Sequence, residues 1–221
     1  FFHETYFPEN RKANELNKIE FSVLAAASLM NLLKKQRDAF GLSIFDSTVH
    51  THTKAKLTTA HYQLLLSYLQ QSIDRPAYNK TTSAAEALHQ IADSIHKRSL
   101  VVIFSDMFEQ SAQVEQLFSA LQHLKHNKHE VVLFHVVDEA KELSFQFDNR
   151  PYLFIDMETG EKVKLQPNQV KEHYVKQVKA FKDELILKCL QYRIDFVEAD
   201  TKKGFKPILQ SYLVKRARMG A

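Results

Sequence analysis

The sequence predicts an α/β protein: a mostly parallel sheet with helices on both faces, plus a β-hairpin. Three observations carry that expectation. Residues 100–104 (LVVIF) and Glu130–Val137 (EVVLFHVV) are continuous apolar runs of strand length, expected of strands covered on both faces. Helix-period apolar stripes precede, separate and follow them, and strands alternating with helices favour parallel pairing through right-handed crossovers. A chain of 221 residues, 44% hydrophobic and 25% charged, is long enough for a sizeable core and too apolar to be a disordered chain.

The elements follow in order. Residues 18–38 read as an amphipathic helix, with Ile19, Val23, Ala26, Met30 and Leu33 on one stripe. Lys34, Lys35 and Arg37 suit the negative end of its dipole. Residues 40–45 (FGLSIF) read as a strand and 49–56 (VHTHTKAK) as a more polar one of edge character. Thr58 is placed to cap a helix reaching about Gln71, with Tyr62, Leu65, Leu66 and Leu69 inward. Residues 74–80, with Arg75-Pro76, form a loop. A helix over 83–97 should bury Ala84, Ala87, Leu88, Ile91 and Ile95, and Ser111 should cap another over 112–125.

Beyond the second apolar strand, residues 152–156 and Lys162–Leu165 flank Glu158-Thr159-Gly160, the signature of a hairpin turn. Pro167 suits a first helical position. The helix it opens extends to about Arg193, with Val170, Tyr174, Val178, Phe181, Leu185, Cys189 and Tyr192 as its core stripe. Residues 194–197 make a last short strand and 205–216 a closing helix. No repeat, low-complexity tract or Gly-, Pro- or Ser-rich linker divides the chain, so a single domain is expected over residues 1–221.

Composition excludes several classes. No stretch approaches the roughly 20 apolar residues that cross a bilayer, and nothing at the start reads as a signal peptide. The single cysteine, Cys189, rules out an internal disulfide framework and points to a reducing, cytoplasmic setting; on a core stripe it reads as a small hydrophobe. The formal charge of +4 traces mostly to Lys206, Lys215, Arg216 and Arg218, with no RNA-binding strand motif or zinc-finger spacing, so nucleic acid is not the expected partner. There is no G-x-S-x-G elbow, and four glycines leave no Gly-rich phosphate loop.

In an open α/β sheet, ligands bind beyond the carboxyl ends of the strands. The polar residues there are Asp46, Ser105 with Asp106, and Asp138. An aspartate so placed offers a hard oxygen to Mg²⁺ or another octahedral cation, or else caps the next helix. Thr81 and Thr82 can add a hydroxyl at the same mouth, or cap the helix they precede. His50 and His52 share a strand face, and His123, His126 and His129 span a helix end and a turn. Neither group has a recognisable metal-ligand spacing.

Several blocks, in order and at matching spacing, resemble the bacterial family labelled domain of unknown function fifty-eight. They include Lys18-Ile19-Glu20-Phe21, Gln36-Arg37-Asp38-Ala39-Phe40-Gly41-Leu42-Ser43-Ile44-Phe45, and Ala87-Leu88-His89. The strands ending in Phe104-Ser105-Asp106 and Val136-Val137-Asp138 resemble it too, as do Phe154-Ile155-Asp156-Met157-Glu158-Thr159-Gly160 and Tyr212-Leu213-Val214-Lys215-Arg216. The resemblance implies a three-layer, Rossmann-like fold of the von Willebrand factor A type. It also implies a metal-ion-dependent adhesion site: a D-x-S-x-S motif after the first strand, a threonine matched by Thr82 (or Thr81), and an aspartate matched by Asp106. D-x-S-x-S belongs just before Tyr6-Phe7-Pro8, where this chain reads Phe1-Phe2-His3-Glu4-Thr5. The expected metal site is therefore incomplete, the domain is expected to be truncated at its N-terminus, and an upstream strand is expected between residues 40–45 and 100–104. Mg²⁺ or Mn²⁺ is the cation expected for a complete site, with none bound tightly here.

The function expected from the resemblance is a non-catalytic protein-interaction module working with a MoxR-type AAA+ ATPase. A metal-dependent hydrolase using Asp46, Asp106 and Asp138 is the alternative, and requires at least two of those carboxylates to converge on a water. A scaffold with a dead metal site is the third.

Overall fold

The computed structural model describes residues 15–46, 48–74, 84–95, 98–107, 114–155 and 162–219. Thr81, Thr82, Ser111, the 75–80 loop and the Glu158-Thr159-Gly160 turn lie outside the described residues.

Helix α1 (Lys18–Gln36) opens with a capping box. The Asn17 side chain accepts from the Glu20 amide at 2.8 Å, and the Glu20 carboxylate accepts from the Asn17 amide at 3.1 Å. It ends at Arg37 in the left-handed region, φ 61°, with the Asp38 amide reaching back to the Leu33 carbonyl. Strands β1 (Ser43–Phe45) and β2 (Val49–His52) form an antiparallel hairpin extended by an isolated bridge between Phe40 and Lys56. Both are shorter than the sequence suggests. At Gly41 a Cβ would stand 2.5 Å from the Thr53 carbonyl oxygen, so only glycine fits where the chain segments cross. Helix α2 (Thr59–Asp74) is capped as expected, the Thr58 hydroxyl accepting from the His61 amide at 3.2 Å. Its Leu65 and Leu69 pack with Met30 and Phe40.

Helix α3 (Ala84–Ser94), strand β3 (Leu100–Ser105), helix α4 (Val114–His126) and strand β4 (Glu130–Val137) come next. The chain then makes a single π-helical turn, Glu139–Leu143, and a second hairpin, β5 (Tyr152–Ile155) with β6 (Lys162–Leu165). Helix α5 (Pro167–Gln191), strand β7 (Asp195–Asp200), a 3₁₀ turn (Thr201–Lys203) and helix α6 (Phe205–Met219) complete it. The parallel sheet has the order β3-β4-β7. The architecture is mixed α/β with helices on both faces of that sheet, consistent with a Rossmann-like fold.

β4 is central and buried along its length after Glu130. Its side chains divide by the period of two. Val131 and Leu133 meet α3, α4 and α5 through Leu88, Leu117, Leu121 and Leu185. Val132, Phe134 and Val136 meet α1 and α6 through Phe21, Ala25 and Tyr212. β3 corrects an expectation. Instead of being covered throughout, it is mostly half-buried, and Leu100 is exposed. Among the described strands only β4 pairs with it, and its side chains line a trough of about 1800 Å³ walled on the far side by β1. β1 and β3 belong to separate sheets.

Candidate functional site

Parallel strands deliver their carboxyl ends to one rim. The registers Ser105↔His135 and Val137↔Asp200 bring Asp106, Asp138 and Asp200 to that rim from three neighbouring strands. Each faces a lysine.

The most buried group is at Asp106. The Lys18 ammonium donates to Asp106 Oδ2 at 2.9 Å and to Glu142 Oε1 at 2.6 Å, with side-chain exposures of 5%, 11% and 3%. Burial alone would lower the ammonium pKa. The two carboxylates more than reverse that and hold it above its ordinary value, so the charge is retained. Glu142 also accepts from the Asp138 amide at 3.0 Å, which ties the end of β4 to the same cluster. Two backbone features shape the pocket. Met107, buried and at φ 53°, turns the chain sharply after Asp106, its amide donating to the Ser105 hydroxyl at 3.1 Å. The π-helical turn places Glu142 on the path back to Lys18.

Asp138 and Asp200 do what a capping aspartate does. Asp138 caps the π turn, accepting from the Lys141 amide at 3.1 Å, and faces Lys202 at 3.8 Å. Asp200 accepts from the Lys202 amide at 3.1 Å and faces Lys203 at 3.6 Å, while Lys203 bonds Glu139 at 2.8 Å. Behind the rim, His135 is buried in the middle of β4 beside Phe196, and burial pulls its pKa down to about 4, so the ring is neutral.

Whether a divalent cation suits Asp106 is decided by what the carboxylate already holds. A lysine ammonium sits against it, shared with Glu142, so the described residues do not fit a resident metal ion. Nor does any group of three or more His, Cys, Asp or Glu side chains among the described residues converge on a metal position. Thr81 and Thr82 lie outside the described residues. Asp46 stands at the hairpin end, accepting from the Thr48 amide at 3.0 Å and pairing with His50 at 2.6 Å. His52 bonds Ser43 at 3.0 Å, while His50 Nε2 stands 2.6 Å from Asp46 Oδ2 as an ion-pair contact, so the two face different groups. Cys189 is fully buried, and burial pushes its thiol up to about 12, so it is no nucleophile at neutral pH.

Sequence reasoning singled out Asp106 and Asp138 but missed Lys18, Glu142 and Asp200. Asp200 had a signal, because it follows a strand just as the other two do. Lys18 had none, since a lysine at the first position of an amphipathic helix reads as solvated.

The fold and the rim define a Rossmann-like α/β domain whose strand-end carboxylates face lysines, one of them, Asp106, through a hydrogen bond from the buried Lys18. Residues 8–184 match the family model described as protein of unknown function DUF58, and the chain belongs to that family. No curated protein matches the chain. Among solved structures, the conserved hypothetical protein BatB from Bacteroides thetaiotaomicron is similar at 13% identity and a TM-score of 0.46, over 89% of this chain and 88% of that one.

Proposed function

We propose that the chain is a non-catalytic protein-interaction module of von Willebrand A type, acting as an adaptor for a MoxR-type AAA+ ATPase. One observation supports this reading above the others. The three strand-end aspartates are engaged by Lys18, Lys202 and Lys203 and by backbone amides, an arrangement that presents fixed charge without a poised nucleophile or base. Such a rim recognises a partner by electrostatic complementarity, setting orientation and association rate. Lys202 and Lys203, both exposed, and the half-exposed Glu139 are its accessible charges among the described residues. In this chain the Lys18 ammonium takes the place of a cation at Asp106, so recognition is assigned to the rim charges and not to a metal.

The hydrolase alternative asks for two carboxylates flanking a water. Of its carboxylates, Asp106 is engaged by the Lys18 ammonium, Asp46 sits with His50 at the β1–β2 hairpin and Asp138 caps the π turn, which argues against it. The test is capture of a purified MoxR-type ATPase by this chain and by its Lys203→Glu variant, with ester and phosphoester hydrolysis assayed alongside. Capture weakened by the charge reversal, without hydrolysis, is expected. Failure of the wild-type chain to retain the ATPase would overturn the assignment, and Mn²⁺-dependent turnover lost in Asp106→Asn would favour the hydrolase.

A further inference from the structure

At the opposite rim of the sheet, two histidines from neighbouring helices face one another. His89 stands on α3 one turn before Asp93, and His123 lies in the last turn of α4. Their Nδ1 atoms are 2.9 Å apart with ring centroids at 5.2 Å, and His123 Nε2 lies 3.3 Å from Asp93 Oδ1. Both rings are partly buried. Asn127 donates to the Ala92 carbonyl at 3.0 Å, pinning the end of α4 to the end of α3.

The tautomers follow from the partners. The Asp93 carboxylate, 3.3 Å away, favours the proton on His123 Nε2 and leaves His123 Nδ1 with a lone pair directed at His89. In the metal-free pair His89 Nδ1–H donates to that lone pair. If the His89 proton moves through solvent to its own Nε2, both Nδ1 lone pairs become available with no net proton released. Two nitrogens at this separation, each about 2.1 Å from a metal, subtend an angle of roughly 90° there. That is the angle of adjacent positions in square-planar or octahedral coordination and is narrow for a tetrahedron. Imidazole nitrogen suits borderline transition ions, not Mg²⁺ or Ca²⁺. His123 lies in the last turn of α4, whose negative dipole end favours a cation there.

We propose that His89 and His123 chelate a square-planar or octahedral transition ion of the Ni²⁺ or Cu²⁺ class, with Asp93 as the positioning residue for His123. Waters complete the coordination, and the ion cross-links α3 to α4. The site is separate from the carboxylate rim and does not rest on the adaptor reading.

The test is calorimetric titration of the tag-free chain with Ni²⁺, and with Mg²⁺ as control. One saturable Ni²⁺ site is expected, absent for Mg²⁺, lost in His89→Gln and in His123→Gln, and about tenfold weaker in Asp93→Asn. Cu²⁺ bound to the wild-type chain should show two nitrogen donors by electron paramagnetic resonance, a readout independent of how the variants fold. Absence of a saturable site, a site that survives both histidine substitutions, or a Cu²⁺ spectrum without two nitrogen donors would overturn the proposal and leave the pair as a hydrogen bond only.

Discussion

Lys18 illustrates how a single charge organises the rim. Its ammonium is buried between two carboxylates, and removing one member of such a cluster strands the others. Lys18→Met should therefore destabilise the protein by about 3–5 kcal/mol in chemical denaturation. The triple change Lys18→Met, Asp106→Asn, Glu142→Gln should recover most of that loss, because no unpaired charge remains. Equal stability of the single variant and the wild type would show that the cluster is solvated. His135 sets a pH dependence of definite sign. Its folded pKa of about 4 lies below the ordinary 6.5, so the stability it contributes is fully present above pH 6.5 and is lost as the pH falls towards 4. Denaturant midpoints across that window should fall by the equivalent of roughly 3 kcal/mol. In His135→Gln, where no imidazole remains to be protonated, that part of the slope should vanish. The aspartates were legible in the sequence because a polar residue ends each apolar run. Lys18 and Glu142 were not, since their burial depends on pairing across segments far apart in the chain.

Among the elements, the helices were the most legible and their termini the least. The stripes of α2 and α5 place Leu65, Leu185 and Cys189 in the core, and Thr58 caps α2 as its position predicts; in α1 only Met30 of the expected stripe is buried, and Phe21 and Ala25, which lie off it, fill the core instead. The Asn17-x-x-Glu20 box carried a readable signature that the apolar periodicity overshadowed. The helix ends lacked the usual glycine signal. With four glycines in the chain, α1, α4 and α5 each end with Arg37, Lys128 or Arg193 in the left-handed region. At Arg193 the Ile194 amide reaches the Cys189 carbonyl at 2.8 Å, closing a Schellman turn on a residue with a Cβ. Arg193→Gly should raise stability by about 0.5 kcal/mol, read as a higher melting temperature, since the relief of that conformation exceeds the added chain entropy. A lower melting temperature would mean that the arginine side chain contributes more than its backbone costs.

For the whole molecule, alternation of strands and helices foretold the parallel sheet, and β4 fulfils the expectation of a strand buried on both faces. β3 does not, because among the described strands only β4 pairs with it and a trough lies along its other edge, where the family resemblance places an upstream strand. The same sheet brings Asp106, Asp138 and Asp200 together on a rim where lysines supply the positive charge. The most direct test is an Mn²⁺ titration of the wild-type chain, followed by calorimetry and paramagnetic relaxation. Because the Lys18 ammonium sits against Asp106, no Asp106-dependent binding at millimolar Mn²⁺ is predicted. Sub-millimolar binding that disappears in Asp106→Asn would contradict the account.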